Sequence, residues 1–247
     1  MTWSLFVVGA LVAGFVQGLT GFAFALIAMS FWIWALPPQL AAPLVVFASV
    51  WCHIMSLLQE KQHPQLAKRL VLPYIVAGLI AVPLGTYLLD WVNAQVFRLS
   101  LGIFLVCWSP IMLFRPRLVW LARSGRFADS CIGFLGGMLG GLGGFCGALP
   151  SAWVMLKQLP KAEQRYILRH FNFAVQIFTL AIYLMQGTLS QVHLPYLAVL
   201  VVSVSIPAIL GARLFYKISE QRFNYVVLSL LFSSGVFLIL TSGYRLI

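Results

Sequence analysis

An all-α, polytopic membrane architecture follows from the composition of this chain, the length of its apolar runs and the placement of its basic residues. Of 247 residues, 62% are hydrophobic and 9% are charged, with a mean hydropathy of +0.97. A domain dissolved in water needs more polar surface than that. The apolar residues gather into eight long runs, and a bilayer core of about 30 Å calls for runs of about 18 or more. No strand-like alternation is present, so the membrane elements are helices, whose backbone groups are satisfied internally.

The runs are Trp3–Leu36, Leu40–Leu58, Leu70–Leu89, Val96–Phe114, Cys131–Leu156, Tyr166–Met185, Leu194–Tyr216 and Phe223–Thr241. The first is too long for one crossing: a straight helix would extend about 50 Å, beyond a bilayer core even when tilted. It and the fifth each carry a glycine-rich middle, which predicts a helix that breaks and turns back. The polar stretch Arg115–Asp129 divides the chain nearly in half, and the halves resemble each other. Gly14, Phe15, Gly18 and Gly21 match Gly133, Phe134, Gly137 and Gly140, 119 positions on. Gly85, Leu88, Gln95 and Phe97 match Gly211, Leu214, Gln221 and Phe223, 126 positions on. The expectation is therefore a first repeat over residues 1–119 and a second over 125–247.

Loop charges give the orientation. If all eight runs cross the membrane, Lys and Arg divide equally between its two sides. If the first and fifth runs are hairpins, 14 basic residues fall on one side and only Arg98 and Arg245 on the other. The second distribution is the one the positive-inside rule requires. It also gives each half an odd number of crossings, so the halves are inverted relative to each other, a recurrent plan in secondary transporters. Both termini are then expected in the periplasm, with the basic loops in the cytoplasm. The N-terminus shows no basic region and no cleavage site of a removable signal.

The formal charge of +11 fits orienting loops and contact with anionic membrane lipids. No nucleic-acid motif accompanies it. Cys52, Cys107, Cys131 and Cys146 form no C-x-x-C pair and lie in or beside apolar runs, so they read as packing residues. No metal-ligand spacing, nucleophile motif or cofactor fingerprint occurs, which argues against an enzyme and leaves catalytic and metal sites unassigned.

The expected chemistry lies in the breaks. The first contains Gln17, Gly18, Thr20 and Gly21; the second contains Gly140, Gly141, Gly143, Gly144 and Cys146, followed by Ser151. A helix restarting after a break turns its free N–H groups and positive dipole end toward the gap, a place for an anion. Gln17, Thr20 and Ser151 would add amide and hydroxyl donors. Asn172 and Gln176, spaced i, i+4 on one face of the sixth run, would supply directional hydrogen bonds. The bland alternative is tight packing through Gly14-x-x-x-Gly18, Gly133-x-x-x-Gly137 and Gly140-x-x-x-Gly144. It is favoured for Gly14, Gly18, Gly133 and Gly137; a broken backbone is favoured for Gly140 to Gly147. Arg169 and His53 read as interfacial side chains, and Asp90, Asp129, Glu60, Glu163 and Glu220 as loop or interface residues. With no carboxylate deep in a run, an anionic substrate is expected over a cation.

The glycine-rich stretches Gly14–Ala25 and Gly133–Gly147, followed by Leu36-Pro37-Pro38 and Leu159-Pro160-Lys161, and then Gly211-Ala212-Arg213-Leu214, resemble the sulfite exporter TauE/SafE family, also called the toluene sulfonate uptake permeases. The resemblance covers nearly the whole chain. It implies a bacterial inner-membrane permease with duplicated halves and a substrate such as sulfite, a sulfonate or another small sulfur or carboxylate anion. Gly21-Phe22-Ala23-Phe24-Ala25 departs from the glycine run many members carry at the first turn. The expected function is thus secondary transport of a small anion, driven by a coupled proton or sodium ion or by the membrane potential. A non-transporting membrane subunit or assembly factor is the alternative.

Overall fold

Ten helices account for the eight runs because the first and fifth each divide in two. The computed structural model describes residues 2–32, 36, 38–58, 65–88, 94–113, 125–187, 189 and 193–243. The helices are α1 (Thr2–Thr20), α2 (Phe24–Trp32), α3 (Pro38–Leu57), α4 (Gln65–Leu88), α5 (Ala94–Leu113), α6 (Gly125–Gly141), α7 (Ala148–Leu156), α8 (Lys161–Met185), α9 (Leu194–Phe215) and α10 (Glu220–Gly243). Six of them, α1, α3, α4, α8, α9 and α10, are long and apolar enough to cross a membrane. Large apolar side chains such as Ile80, Val202, Ile206 and Leu240 point outward. On a water-soluble protein they would form a sticky surface; on a multi-pass membrane protein they face lipid. Residues 114–124, most of the polar stretch that divides the halves, lie outside the described residues, as do Glu60 and Asp90.

Each broken run is a helical hairpin. α2 lies back along α1: the Trp32 indole donates to the Phe6 carbonyl at 3.0 Å, and its ring stacks on Phe6. α7 lies back along α6, where Trp153 and Lys157 both donate to Asp129. Hairpins of this kind need glycine at the tip. Gly21 has φ +85° and Gly144 φ +83°, a left-handed conformation that terminates a helix with little penalty only for glycine. Both tips close with the same bond, Gly21 N–H to Gln17 O at 2.7 Å and Gly144 N–H to Gly140 O at 2.8 Å.

The hairpins pack by backbone approach. A Cβ on Gly18 would lie 2.0 Å from the Ala208 carbonyl oxygen, and one on Gly211 2.0 Å from that of Phe15. α1 and α9 are thereby pressed together along Gly14, Gly18 and Gly211. In the other half, a Cβ on Gly137 would lie 2.1 Å from the Gly78 carbonyl oxygen and one on Gly85 2.2 Å from that of Met138, so α6 is pressed onto α4. Without a solvent-driven hydrophobic effect in lipid, such close approach is a principal source of helix association.

The same kinds of contact recur in both halves of the chain. Phe15 corresponds to Met138, Gly18 to Gly141 and Gly21 to Gly144, in each case 123 positions on, one helical turn beyond the 119 read from glycine spacing. The pairings follow the same rule. α1 packs on α9 as α6 packs on α4, α3 on α9 as α8 on α4, and α2 on α10 as α7 on α5. Two pairings join corresponding helices to each other, α3 with α8 and α5 with α10. Both are antiparallel: Ser56 near the end of α3 meets Arg165 near the start of α8 while His53 lies by Phe173, and Gln95 of α5 donates to the Ser242 carbonyl of α10 while Gly102 meets Gly235. Proline interrupts α3, α4, α5 and α9 internally, at Pro43, Pro73, Pro83, Pro110 and Pro207. No proline lies inside the 25-residue α8.

Candidate functional site

The two hairpin tips meet. Gly147 faces Phe22 closely enough that a Cβ would lie 2.6 Å from the Phe22 Cβ, and Gly144 lies against Ala25 and Val45. α8 runs past both tips. Along it, Arg165 reaches the Gly18 carbonyl, Arg169 packs on Gly21, Asn172 takes the Cys146 thiol, Gln176 reaches Gly144 and Tyr183 reaches the Gly141 carbonyl. The first hairpin therefore approaches from the N-terminal end of α8 and the second from its C-terminal end.

A polar stripe on α8 makes this possible. Arg165, Arg169, Asn172, Gln176, Thr179 and Tyr183 recur every three or four residues and all are buried, the spacing that keeps one helix face turned inward. The corresponding face of α3 carries Ser49, His53 and Ser56, also buried. The Arg165 guanidinium donates to the carbonyls of Gly18 and Leu19 at 2.5 and 3.2 Å and to the Ser56 hydroxyl at 3.3 Å. It thus satisfies carbonyls left open where α1 ends and places a cation at the negative end of that helix. The Phe215 ring lies 4.3 Å from the same guanidinium. Arg169 donates to the Ser56 carbonyl.

All twelve residues expected at the site are buried, but they serve different purposes. Gln17 does the most in the first half. Its Oε1 accepts the Phe24 N–H at the start of α2, and its Nε2 donates to the His53 ring at 2.7 Å and faces the Ser49 hydroxyl at 3.4 Å. In the second half Asn172 donates to Leu168 O and accepts the Cys146 thiol; Gln176 donates to Gly144 O and to the Cys146 sulfur. Gly21, Gly143 and Gly144 adopt positive φ and shape the tips. Gly18 and Gly141 sit in the helix crossings with α9 and α4, and Gly140 packs on Val175 and Cys146. The Thr20 and Ser151 hydroxyls donate to carbonyls of their own helices, Val16 O and Ala148 O, at 2.9 Å each. Their protons are thus committed to backbone rather than offered as donors.

Three sequence expectations change. Arg169 and His53, expected at an interface, are 2% and 0% exposed. Asp129, expected in a loop, is 2% exposed and holds Tyr74, Trp153 and Lys157 at 2.6 to 2.8 Å. Cys146 and Cys52 are buried as expected, whereas Cys107 and Cys131 are exposed. Of the residues that build the site, the sequence reading left out Ser49, His53, Arg165 and Arg169. A usable signal was present: the two arginines share the helical face of Asn172 and Gln176.

Broken helices meeting tip to tip inside a bundle of apolar helices mark the class of helical membrane transporters. The model of the sulfite exporter TauE/SafE family matches residues 5–238, nearly the whole chain. The chain belongs to that family, and it is a multi-pass membrane transporter. No curated protein and no solved structure matches it.

Proposed function

We propose that this protein is a secondary permease for a small anion, with sulfite, sulfonates and small sulfur- or carboxylate-bearing organic anions as the substrate class. The observation that carries the proposal is the make-up of the centre where the hairpin tips meet. It contains amide, imidazole and thiol groups and two buried guanidinium groups, while the buried carboxylate of Asp129 is matched by Lys157. A cation pathway is normally lined by acids at depth; among the described residues the side chains at the first tip are amide, hydroxyl, imidazole and guanidinium groups. The substrate is bound between the tips, close to Gln17, His53, Asn172 and Gln176.

We further infer that residues 1–119 and 125–247 are inverted repeats. The exchange of pairings between halves, the antiparallel α3–α8 and α5–α10 pairs and the approach of the hairpins from opposite ends of α8 support this reading. The protein would then sit in a bacterial inner membrane with both termini periplasmic and its basic loops against anionic lipid. No nucleotide-binding motif occurs in the sequence, so a proton gradient, a sodium gradient or the membrane potential drives the movement.

Purified protein in liposomes, loaded in turn with labelled sulfite, a sulfonate and a carboxylate under each gradient, tests the proposal. Protein-dependent, saturable movement of at least one of these anions is expected. If none moves under any gradient, anion transport by this chain is refuted.

A further inference from the structure

Two hydrogen-bond chains start at the hairpin tips, and each ends in an unsatisfied buried atom. In the first half the Phe24 N–H donates to Gln17 Oε1, which fixes the orientation of that amide. Gln17 Nε2 is then a donor, and the atom it meets at 2.7 Å, His53 Nε2, must be an acceptor. The ring proton consequently sits on His53 Nδ1. That N–H is fully buried and has no hydrogen-bond partner among the described residues.

The second half runs the other way. Asn172 Nδ2 donates to Leu168 O, so Asn172 Oδ1 accepts, and it takes the Cys146 thiol proton at 2.7 Å. The Cys146 sulfur in turn receives Gln176 Nε2, which also donates to Gly144 O at 2.9 Å. The amide orientation is again fixed, leaving Gln176 Oε1 as an acceptor. It too is buried without a partner among the described residues.

His53 and Gln176 occupy corresponding positions, 123 apart, like Gly21 and Gly144. One half of the pair presents a donor and the other an acceptor. Buried polar atoms of this kind are rare in folded proteins because each left unmade forfeits the desolvation energy of the group. Other buried side-chain atoms also lack a partner among the described residues, but these two stand at matched positions flanking the tips, which points to something that binds there.

We propose that the transported anion carries a hydrogen-bond donor of its own. Its negatively charged oxygen accepts from His53 Nδ1–H, and its O–H or N–H donates to Gln176 Oε1. This narrows the substrate class to hydroxy- or amino-bearing sulfonates and carboxylates and to singly protonated oxyanions. The inference rests on the anion-transport reading above.

A matched pair of probes tests it. In proteoliposomes, 2-hydroxyethanesulfonate should be transported, or should compete against a labelled substrate, at least about fivefold better than ethanesulfonate, the effect of one net hydrogen bond. Gln176→Leu should bring that ratio to about one, whatever the absolute rates of the variant. Equal handling of both probes by the wild-type protein overturns the inference, as does a preference that survives in Gln176→Leu. If the variant does not fold, the wild-type ratio decides alone. Movement of neither probe, nor of any other anion, removes the transport reading and this inference with it.

Discussion

At the scale of single residues, glycine carries the design in two distinct ways. At Gly144 the backbone needs φ +83°, and a Cβ would also press on Val45 at 3.0 Å. Gly144→Ala is expected to cost about 1–3 kcal/mol, read as a lower melting temperature of the detergent-solubilised protein. Gly18 is ordinary helix, but a Cβ there would lie 2.0 Å from a backbone oxygen, against 3.2 Å at Gly14. Gly18→Ala should therefore reduce folded yield, and Gly14→Ala should be much better tolerated in the same expression assay. Glycine periodicity also explains what the sequence could not settle. Residues four apart share a helix face, so glycine patterns match themselves one turn out of step. The contacts pair Gly14 with Gly137, not Gly133. The buried roles of His53 and Arg169 were hidden for a related reason: each lies near the end of an apolar run, where a polar residue at the interface and one turned into the bundle have the same sequence surroundings.

At the scale of elements, the helices and both breaks were legible because length and glycine content leave few choices in a membrane. The way each hairpin is held shut was not. The first is closed by Trp32 on the Phe6 carbonyl, the second by Trp153 and Lys157 on Asp129. In the second, Lys157 is 11% exposed and Asp129 2%, so removing either charge strands the other. Asp129→Asn and Lys157→Met should each destabilise by about 3–5 kcal/mol, and the double variant should recover most of that loss, because an uncompensated buried charge is costlier than an absent pair. Thermal unfolding of the three variants in one detergent measures the coupling. If the double variant loses the sum of both singles, the ion pair is not what closes the hairpin.

At the scale of the whole molecule, the proposed inverted arrangement is open to cross-linking and topology reporters. Cysteines replacing Gln95 and Ser242 in a cysteine-free background should be joined by a short bifunctional reagent. Cysteines at 95 and 221 should not, because 221 lies about 30 Å away along α10. The opposite result would mean that α5 and α10 run parallel. A periplasm-active reporter fused to the C-terminus should be active, and a cytoplasm-active one silent. The loop charges supply the expected orientation, whereas the proposed correspondence of helices rests on their packing.

α8 is long, free of internal proline and fastened to both hairpins, by Arg165 on Gly18 near one end and Tyr183 on Gly141 near the other. Its partners α3 and α4 contain prolines and bend more readily. A stiff bar held between two flexible supports behaves like a seesaw: tilting it away from one hairpin drives it into the opposite one. A displacement at one hairpin tip is thereby handed along the bar to the other.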